Sequence, residues 1–211
     1  MKISGYFGKI ALLLLVILLT GCNLARFLVH KMVPAGKGEW IPAECTALTG
    51  GEKVLILVYA EESIQYMHQQ LARFDTAAVV ASEMQDKLKV DVVDPAAVEH
   101  YQSANVNWTE QPLSRITERY QADYIMYIEL LAFSTSAEES GELVRGQVEA
   151  NCVLYSSDDT TRDIWQGKVS AAYPESPVVS DLGVAERVRY ETLKLFADRL
   201  VKHFYGHNEP L

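Results

Sequence analysis

The stretch Lys53-Val54-Leu55-Ile56-Leu57-Val58-Tyr59-Ala60 decides the fold. It is a continuous apolar run, rich in β-branched residues, and it follows the glycine pair Gly50-Gly51. A run of this length and composition is typical of a buried strand. Because such a strand must be covered by other elements, we expect it to lie in a sheet that has helices packed on it.

The region downstream alternates between helical and strand patterns. Apolar residues recur first at steps of three or four and predict one long amphipathic helix: Ile64, Met67, Leu71, Phe74, Ala78, Ala81, Met84 and Leu88. Residues 90–94 then form a short strand pattern that stops at Pro95. A helical turn is expected at residues 96–101, a short helix at 112–120, and a second clear strand at 122–130.

The remaining pattern is that of an antiparallel meander followed by a helix. Polar turns at residues 137–142 and 158–161 separate strand patterns at 143–156 and 164–172. A helix is expected at residues 184–205, with Gly206 as its terminator. The order β-α-β-α-β-β-β-α predicts an α/β (α+β) domain with a mixed sheet of about five strands and helices packed on that sheet.

The N-terminus has the pattern of a bacterial lipoprotein signal. Two lysines and no acid precede the apolar run at residues 11–19, which is too short for a comfortable membrane span. The run ends in Leu19-Thr20-Gly21-Cys22, which matches the lipobox of bacterial lipoproteins. We therefore expect cleavage between Gly21 and Cys22 and lipidation of Cys22. The alternative is an ordinary signal anchor in which the cysteine is incidental.

These features predict three segments. Residues 1–21 are the signal peptide, residues 22–52 a lipidated tether rich in proline and glycine, and residues 53–211 a single globular domain. Because Asn23 rather than an aspartate follows the cysteine, enterobacterial-type sorting favours the outer membrane, with the domain facing the periplasm.

The charge balance bears on the partners. Removing Lys2 and Lys9 leaves 17 of the 19 basic residues against 28 acidic ones, so the net charge goes from −9 to −11. Without a basic cluster, nucleic acid and anionic lipid are poor partners. Membrane attachment must then come from acyl chains on Cys22.

The residues suited to catalysis or metal binding form no recognisable constellation. His203 and His207 are spaced i, i+4, but we interpret them as solvated residues at a helix end. The acidic pairs at 61–62, 138–139 and 158–159 are expected to be solvated turn or helix-start residues. Glu129 lies within an apolar strand pattern, and we expect it to point to the wetter face of the sheet. We therefore expect no enzyme, no metal and no cofactor.

Two cysteines remain once Cys22 is lipidated. Cys45 and Cys152 can form a disulfide, because an extracytoplasmic compartment permits one. The alternative of two buried or idle thiols is equally open.

The element order behind a lipobox resembles the periplasmic domain shared by the curli-secretion channel lipoprotein and the penicillin-binding-protein activator LpoB. Residues 54–60 and 122–128 carry this resemblance. Several short motifs also resemble those of a group of planctomycete-type envelope lipoproteins: Ile41-Pro42-Ala43-Glu44, Val92-Val93-Asp94-Pro95, Tyr101-Gln102, Ala122-Asp123-Tyr124 and Arg145-Gly146.

The short acidic turns leave no segment that could line a pore. We therefore expect a non-catalytic, lipid-anchored module that binds another envelope protein. The alternative is a domain that binds or senses a small apolar ligand between the sheet and the long helices.

Overall fold

The computed structural model describes residues 38–61, 64, 72–134, 143–179 and 183–209. The described chain falls into two compact units. The larger one, Pro42–His207, holds the main sheet and four α-helices. The smaller one contains strand β1 (Glu39–Ile41) and most of strand β7 (His207–Glu209), which pair as a two-stranded sheet. In β1 the Trp40 side chain is 61% exposed.

The main sheet is mixed, with strand order β3-β2-β4-β5-β6. Strand β2 (Lys53–Ala60) lies inside the sheet and pairs in parallel with β3 (Asp91–Val92) and with β4 (Tyr124–Ser134). The rest of the sheet is an antiparallel meander of β4 with β5 (Leu143–Ser156) and of β5 with β6 (Asp163–Val179). The predicted mixed sheet with a C-terminal meander is confirmed.

One face of this sheet is covered by two long helices, α1 (Ala72–Leu88) and α4 (Val184–Lys202). Alternate residues of the strands, such as Ile56, Ile128 and Leu154, point into this layer because side chains alternate along a strand. Phe196 and Leu200 of α4 meet them and are fully buried. This layer is the larger part of the hydrophobic core.

The opposite face of β2 and of the start of β4 is covered by shorter elements. Helix α2 (Pro95–Ala104) is capped at its N-terminus by Asp94, whose side chain accepts a hydrogen bond from the N–H of Ala96. A single 3-10 turn (Trp108–Glu110) and helix α3 (Leu113–Tyr120) follow. Their buried side chains include Trp108 and Ile116. These side chains pack on the strand residues Leu55, Leu57 and Ile125 and form a second core cluster with them.

A buried glutamine closes the edge of β2 beyond its short partner β3. Gln102 of α2 is 4% exposed, and its Nε2 donates a hydrogen bond to the Val58 carbonyl oxygen at 3.0 Å. The bond satisfies two polar groups that would otherwise be buried without partners. It also fixes α2 along the edge of the sheet.

The strand β5 approaches helix α4 closely at Gly146. A Cβ atom placed on this glycine would lie 2.0 Å from Oγ1 and 2.9 Å from Cβ of Thr192. Thr192 is 1% exposed, and its hydroxyl donates to the Val188 carbonyl oxygen at 2.7 Å. Only glycine leaves room for α4 at this depth.

Several boundaries differ from those that the sequence predicts. In α1 the buried stripe runs through Ala72, Thr76 and Val80, so Phe74 and Ala78 of the predicted stripe are only partly buried. Helix α2 is a full helix rather than a single turn. Helix α4 ends at Lys202, before the residue expected to stop it.

Strand β6 differs most from the prediction, since it continues to Val179 through Pro174 and Pro177. It is an edge strand, in which one side needs no N–H donor, and proline is tolerated there. After a register shift, Val178 and Val179 pair with Val144 and Leu143.

No helix in the described part of the chain is both long enough and apolar enough to cross a membrane.

Candidate protein-binding face

Half of the main sheet has a surface that no helix covers within the described residues. α1 and α4 pack on one face of β4, β5 and β6, whereas the elements from α2 to α3 pack over β2 and the start of β4 and reach β5 only at Tyr155. We call the uncovered surface the open face. Its members are partly or fully exposed side chains on four strands, and its three tyrosines border the second core cluster and pack against it: Tyr59, Tyr127, Glu129, Glu149, Asn151, Val153, Tyr155, Gln166 and Lys168.

An aromatic cluster forms the side of the open face nearest the 3-10 turn. The Trp108 ring, 3% exposed, lies with its centroid 6.4 Å from that of Tyr59 and 6.4 Å from that of Tyr127. Burial raises the pKa of Tyr127 to about 12, and the nearby negative charge of Glu129 adds to this effect. The Tyr127 phenol is therefore neutral and remains a hydrogen-bond donor at physiological pH.

A polar row crosses the open face beside the aromatic cluster. Tyr59, Glu129, Asn151 and Lys168 are register partners on β2, β4, β5 and β6. The Asn151 side-chain amide donates to Glu129 Oε2 at 3.0 Å. Lys168 Nζ forms an ion pair with Glu149 Oε1 at 2.5 Å. Glu129 is partly buried on this face, as the strand alternation predicts.

The free edge of β6 is partly blocked, unlike the open face. Arg199 of α4 donates through Nη1 to the Ser170 carbonyl oxygen at 2.7 Å, so this backbone acceptor is already used. Farther along, Pro174 and Pro177 lack N–H donors. Charged side chains and prolines on an edge strand oppose the addition of another strand. These features leave the open face more accessible to another protein than the edge of β6.

A polar contact fastens the start of the larger unit to the end of α4. Glu44 Oε2 accepts hydrogen bonds from His203 Nδ1 at 2.8 Å and from Trp165 Nε1 at 3.1 Å. The N–H groups of Glu44 and Cys45 both donate to the His203 carbonyl oxygen, at 2.9 and 3.0 Å. We call this contact the Glu44 latch.

The Glu44 latch places His203 in a different environment from the one predicted, and it lowers the pKa of Glu44. His203 is not a freely solvated helix-end residue, because its side chain is 30% exposed and bonded to the carboxylate. The hydrogen bond from Trp165 lowers the pKa of Glu44, and the hydrogen bond from His203 lowers it further, while burial opposes both. His207 is placed separately, with Nδ1 3.2 Å from the Tyr205 carbonyl oxygen.

The other acidic residues that the sequence singles out do not converge on a site. Glu61 is exposed after β2, and its neighbour Glu62 lies outside the described residues, as do Glu138 and Glu139. Asp159 is exposed, and its Oδ1 accepts from the N–H and the hydroxyl of Thr161 at 3.0 and 2.6 Å, a local turn contact. Within the described ranges, no group of three or more His, Cys, Asp or Glu side chains is placed to hold a metal ion.

The two cysteines of the domain belong to the same core cluster. Cys45 is 7% and Cys152 0% exposed, and both are free thiols in the structure. Burial raises the pKa of Cys152 to about 12, so the reactive thiolate form is suppressed. The disulfide between them stays a prediction. Gly21 and Cys22, the expected cleavage and lipidation site, lie outside the described residues.

The layer between the sheet and the long helices is filled by side chains. Met84, Met126, Phe196 and Leu200 are all 0% exposed there. The clefts of 590 and 440 Å³ along α1 lie at the surface, and their walls include Glu83 and Lys194 in one and Gln85 in the other. This filled layer therefore does not support the alternative prediction that a small apolar ligand binds between the sheet and the long helices.

Sequence reasoning identifies parts of the open face but not its assembly. Trp108, Tyr127 and Glu129 all lie on this side of the sheet, and of these the sequence analysis places only Glu129, on the wetter face. Their proximity to Tyr59 depends on the parallel pairing of β2 with β4, which no local motif specifies. The Glu44 latch likewise joins three residues that lie far apart in the sequence.

The structural comparisons return bacterial lipoproteins among other chains. The lipoprotein GNA1162 from Neisseria meningitidis is 15% identical, with a TM-score of 0.44 over 70% of this chain and 99% of that one. PelC from Paraburkholderia phytofirmans, solved as a dodecamer, is 9% identical, with a TM-score of 0.47 over 80% and 99%. The LpoB C-terminal domain from Salmonella enterica is 14% identical, with a TM-score of 0.37 over 60% and 87%.

LpoB, to which the element order has a resemblance, is thus among these structures, whereas the likeness to the curli-secretion channel and to the planctomycete-type group stays a prediction. No protein-family profile and no curated protein matches the chain.

Proposed function

We propose that this chain is a bacterial envelope lipoprotein that binds another envelope protein and catalyses no reaction. Lipid on Cys22 holds it on the periplasmic side of the outer membrane. Nineteen residues lie between Cys22 and Pro42, where the larger unit begins. Fully extended, a stretch of this length spans at most about 70 Å, so the binding surface can act at a distance from the membrane.

The open face is the observation that carries the binding part of this proposal. Exposed aromatic side chains are enriched where proteins bind one another, and tyrosine combines a large contact area with a polar end. Here Tyr59, Tyr127 and Tyr155 are all partly exposed on neighbouring strands. Val153 lies beside Tyr127 on the adjacent strand and supplies apolar surface between them.

The experiment is a comparison of two charge insertions in the tagged, full-length chain. Val153→Lys places a cation in the middle of the open face, whereas Ser82→Lys places the same group on exposed α1 surface. Both proteins are isolated from envelope extracts in detergent, and the proteins that co-purify are quantified. We expect a partner with the native chain and with Ser82→Lys, and at least a tenfold loss with Val153→Lys.

Equal recovery with both variants would show that the open face is not the binding surface. Absence of any specific partner from the native chain would remove the proposal. The anchor is tested separately by labelling cells with radioactive palmitate, which we expect to mark the native chain but not Cys22→Ala. Unlabelled native chain would contradict the anchor.

A further inference from the structure

One carboxylate on the open face is not neutralised. Glu129 accepts a single hydrogen bond, from the neutral Asn151 amide, and forms no ion pair within the described part of the chain. By contrast, Glu149 on the same face is paired with Lys168. The Glu129 carboxylate is partly buried, so a cation that reaches it interacts more strongly than it would in water.

The surroundings of Glu129 favour a planar cation. Tyr59 is its register partner on β2, and Tyr127 precedes it by two residues on the same strand and face. Phenol rings attract cations over their faces. Asn151 uses its Nδ2 to bond Glu129 and keeps Oδ1 as an acceptor, so the two side chains together present several acceptor positions.

We propose that Glu129, Asn151 and the rings of Tyr59 and Tyr127 bind an arginine side chain of the partner protein. A guanidinium group has five donors in a plane and stacks on aromatic rings, so it matches a carboxylate and an amide oxygen that lie beside tyrosines. An ammonium group is a compact point charge and matches this arrangement less well. The net charge of −11 after signal removal adds a general attraction for a basic partner.

This inference rests on the proposed function and specifies the chemistry of the partner. It is tested with fluorescently labelled hexa-arginine and hexa-lysine peptides, whose binding to the full-length chain in detergent is followed by anisotropy. Glu129→Gln removes the charge and keeps the shape. Glu186→Gln removes the same charge from an exposed position on α4 and serves as the matched control.

We expect the native chain to bind hexa-arginine more tightly than hexa-lysine. Glu129→Gln should weaken hexa-arginine binding about tenfold, the scale of a hydrogen bond to a charged group. Glu186→Gln should change it less than twofold. Tyr59→Leu should weaken it by about threefold, as the loss of one cation–π contact requires. Thermal melting verifies that each variant is folded.

Equal weakening by Glu129→Gln and Glu186→Gln would show only general charge attraction and overturn the inference. Equal affinity for the two peptides would overturn the preference for arginine. If Glu129→Gln retains the envelope partner at the native level while Val153→Lys loses it, this inference fails and the proposed function stands.

Discussion

The replacement Gly146→Ala probes the closest approach between the sheet and a helix. The added methyl group would lie 2.0 Å from the Thr192 hydroxyl oxygen and 2.9 Å from its Cβ. Neither atom can swing away freely, because Thr192 is 1% exposed and hydrogen-bonded to Val188 within α4. The helix must therefore move away from β5, or the threonine must adopt a strained rotamer.

The expected cost follows from overpacking. Inserting one methyl group into a filled core typically destabilises a protein by about 1–3 kcal/mol. For a unit of this size, each kcal/mol lowers the melting temperature by about 2–4 °C, so we expect a decrease of about 2–12 °C. Thr192→Ala removes the Oγ1 and Cγ2 atoms that the added methyl group would meet. In the double variant it should therefore relieve part of this destabilisation.

The assay is urea unfolding of the full-length chain in detergent, followed by tryptophan fluorescence. We measure Gly146→Ala, Thr192→Ala and the double variant, and we expect the double variant to be more stable than the sum of the single effects predicts by about 1 kcal/mol. Additive effects, or a Gly146→Ala protein as stable as the native chain, would refute the packing of α4 on β5 that we describe.

Three further outcomes follow from the titrating groups and the thiols. Because the folded-state pKa of Glu44 is lowered, its contact with His203 stabilises the fold above the ordinary value of 4.5 and is lost as the pH falls through the lowered pKa. The native chain should therefore be more stable than Glu44→Gln at pH 7, by less than about 1 kcal/mol because the carboxylate is exposed, and the two should converge once the pH falls below the lowered pKa of Glu44. A constant difference would contradict the latch. Absorbance at 295 nm should show a phenol that titrates at about 12 and disappears in Tyr127→Phe; loss of a phenol that titrates at 10 would contradict its burial. Without reductant, Cys45 and Cys152 should resist a thiol reagent in the native chain and both react in urea, whereas no reaction in urea would indicate their disulfide.

The elements of the fold were predictable where the local pattern was strong. The apolar run at Lys53–Ala60 and the strand pattern in residues 122–130 correctly predicted β2 and β4. The prolines of β6 misled the prediction, because a local rule cannot tell an edge strand from a loop. The stripe of α1 was misplaced at Phe74 and Ala78, since alanine and threonine carry much of its buried face.

The candidate site was less predictable for a physical reason. The open face depends on how much of the sheet α2 and α3 cover, and this follows from tertiary packing rather than from any motif. Glu129 was expected on a wet face, but its neighbours Tyr59 and Asn151 come from pairings between distant segments. Likewise, nothing in the local sequence of His203 indicates that it bonds Glu44.

Site-specific photocrosslinking in living cells tests the central claim most directly. A benzophenone amino acid is placed at Lys168 on the open face or, as a control, at exposed Ser82 on α1 in the full-length chain. We expect one specific protein adduct from position 168, which is absent from position 82 and lost in the Cys22→Ala background. The same adduct from both positions, or no adduct from position 168, would contradict a lipid-anchored module that binds its partner through the open face.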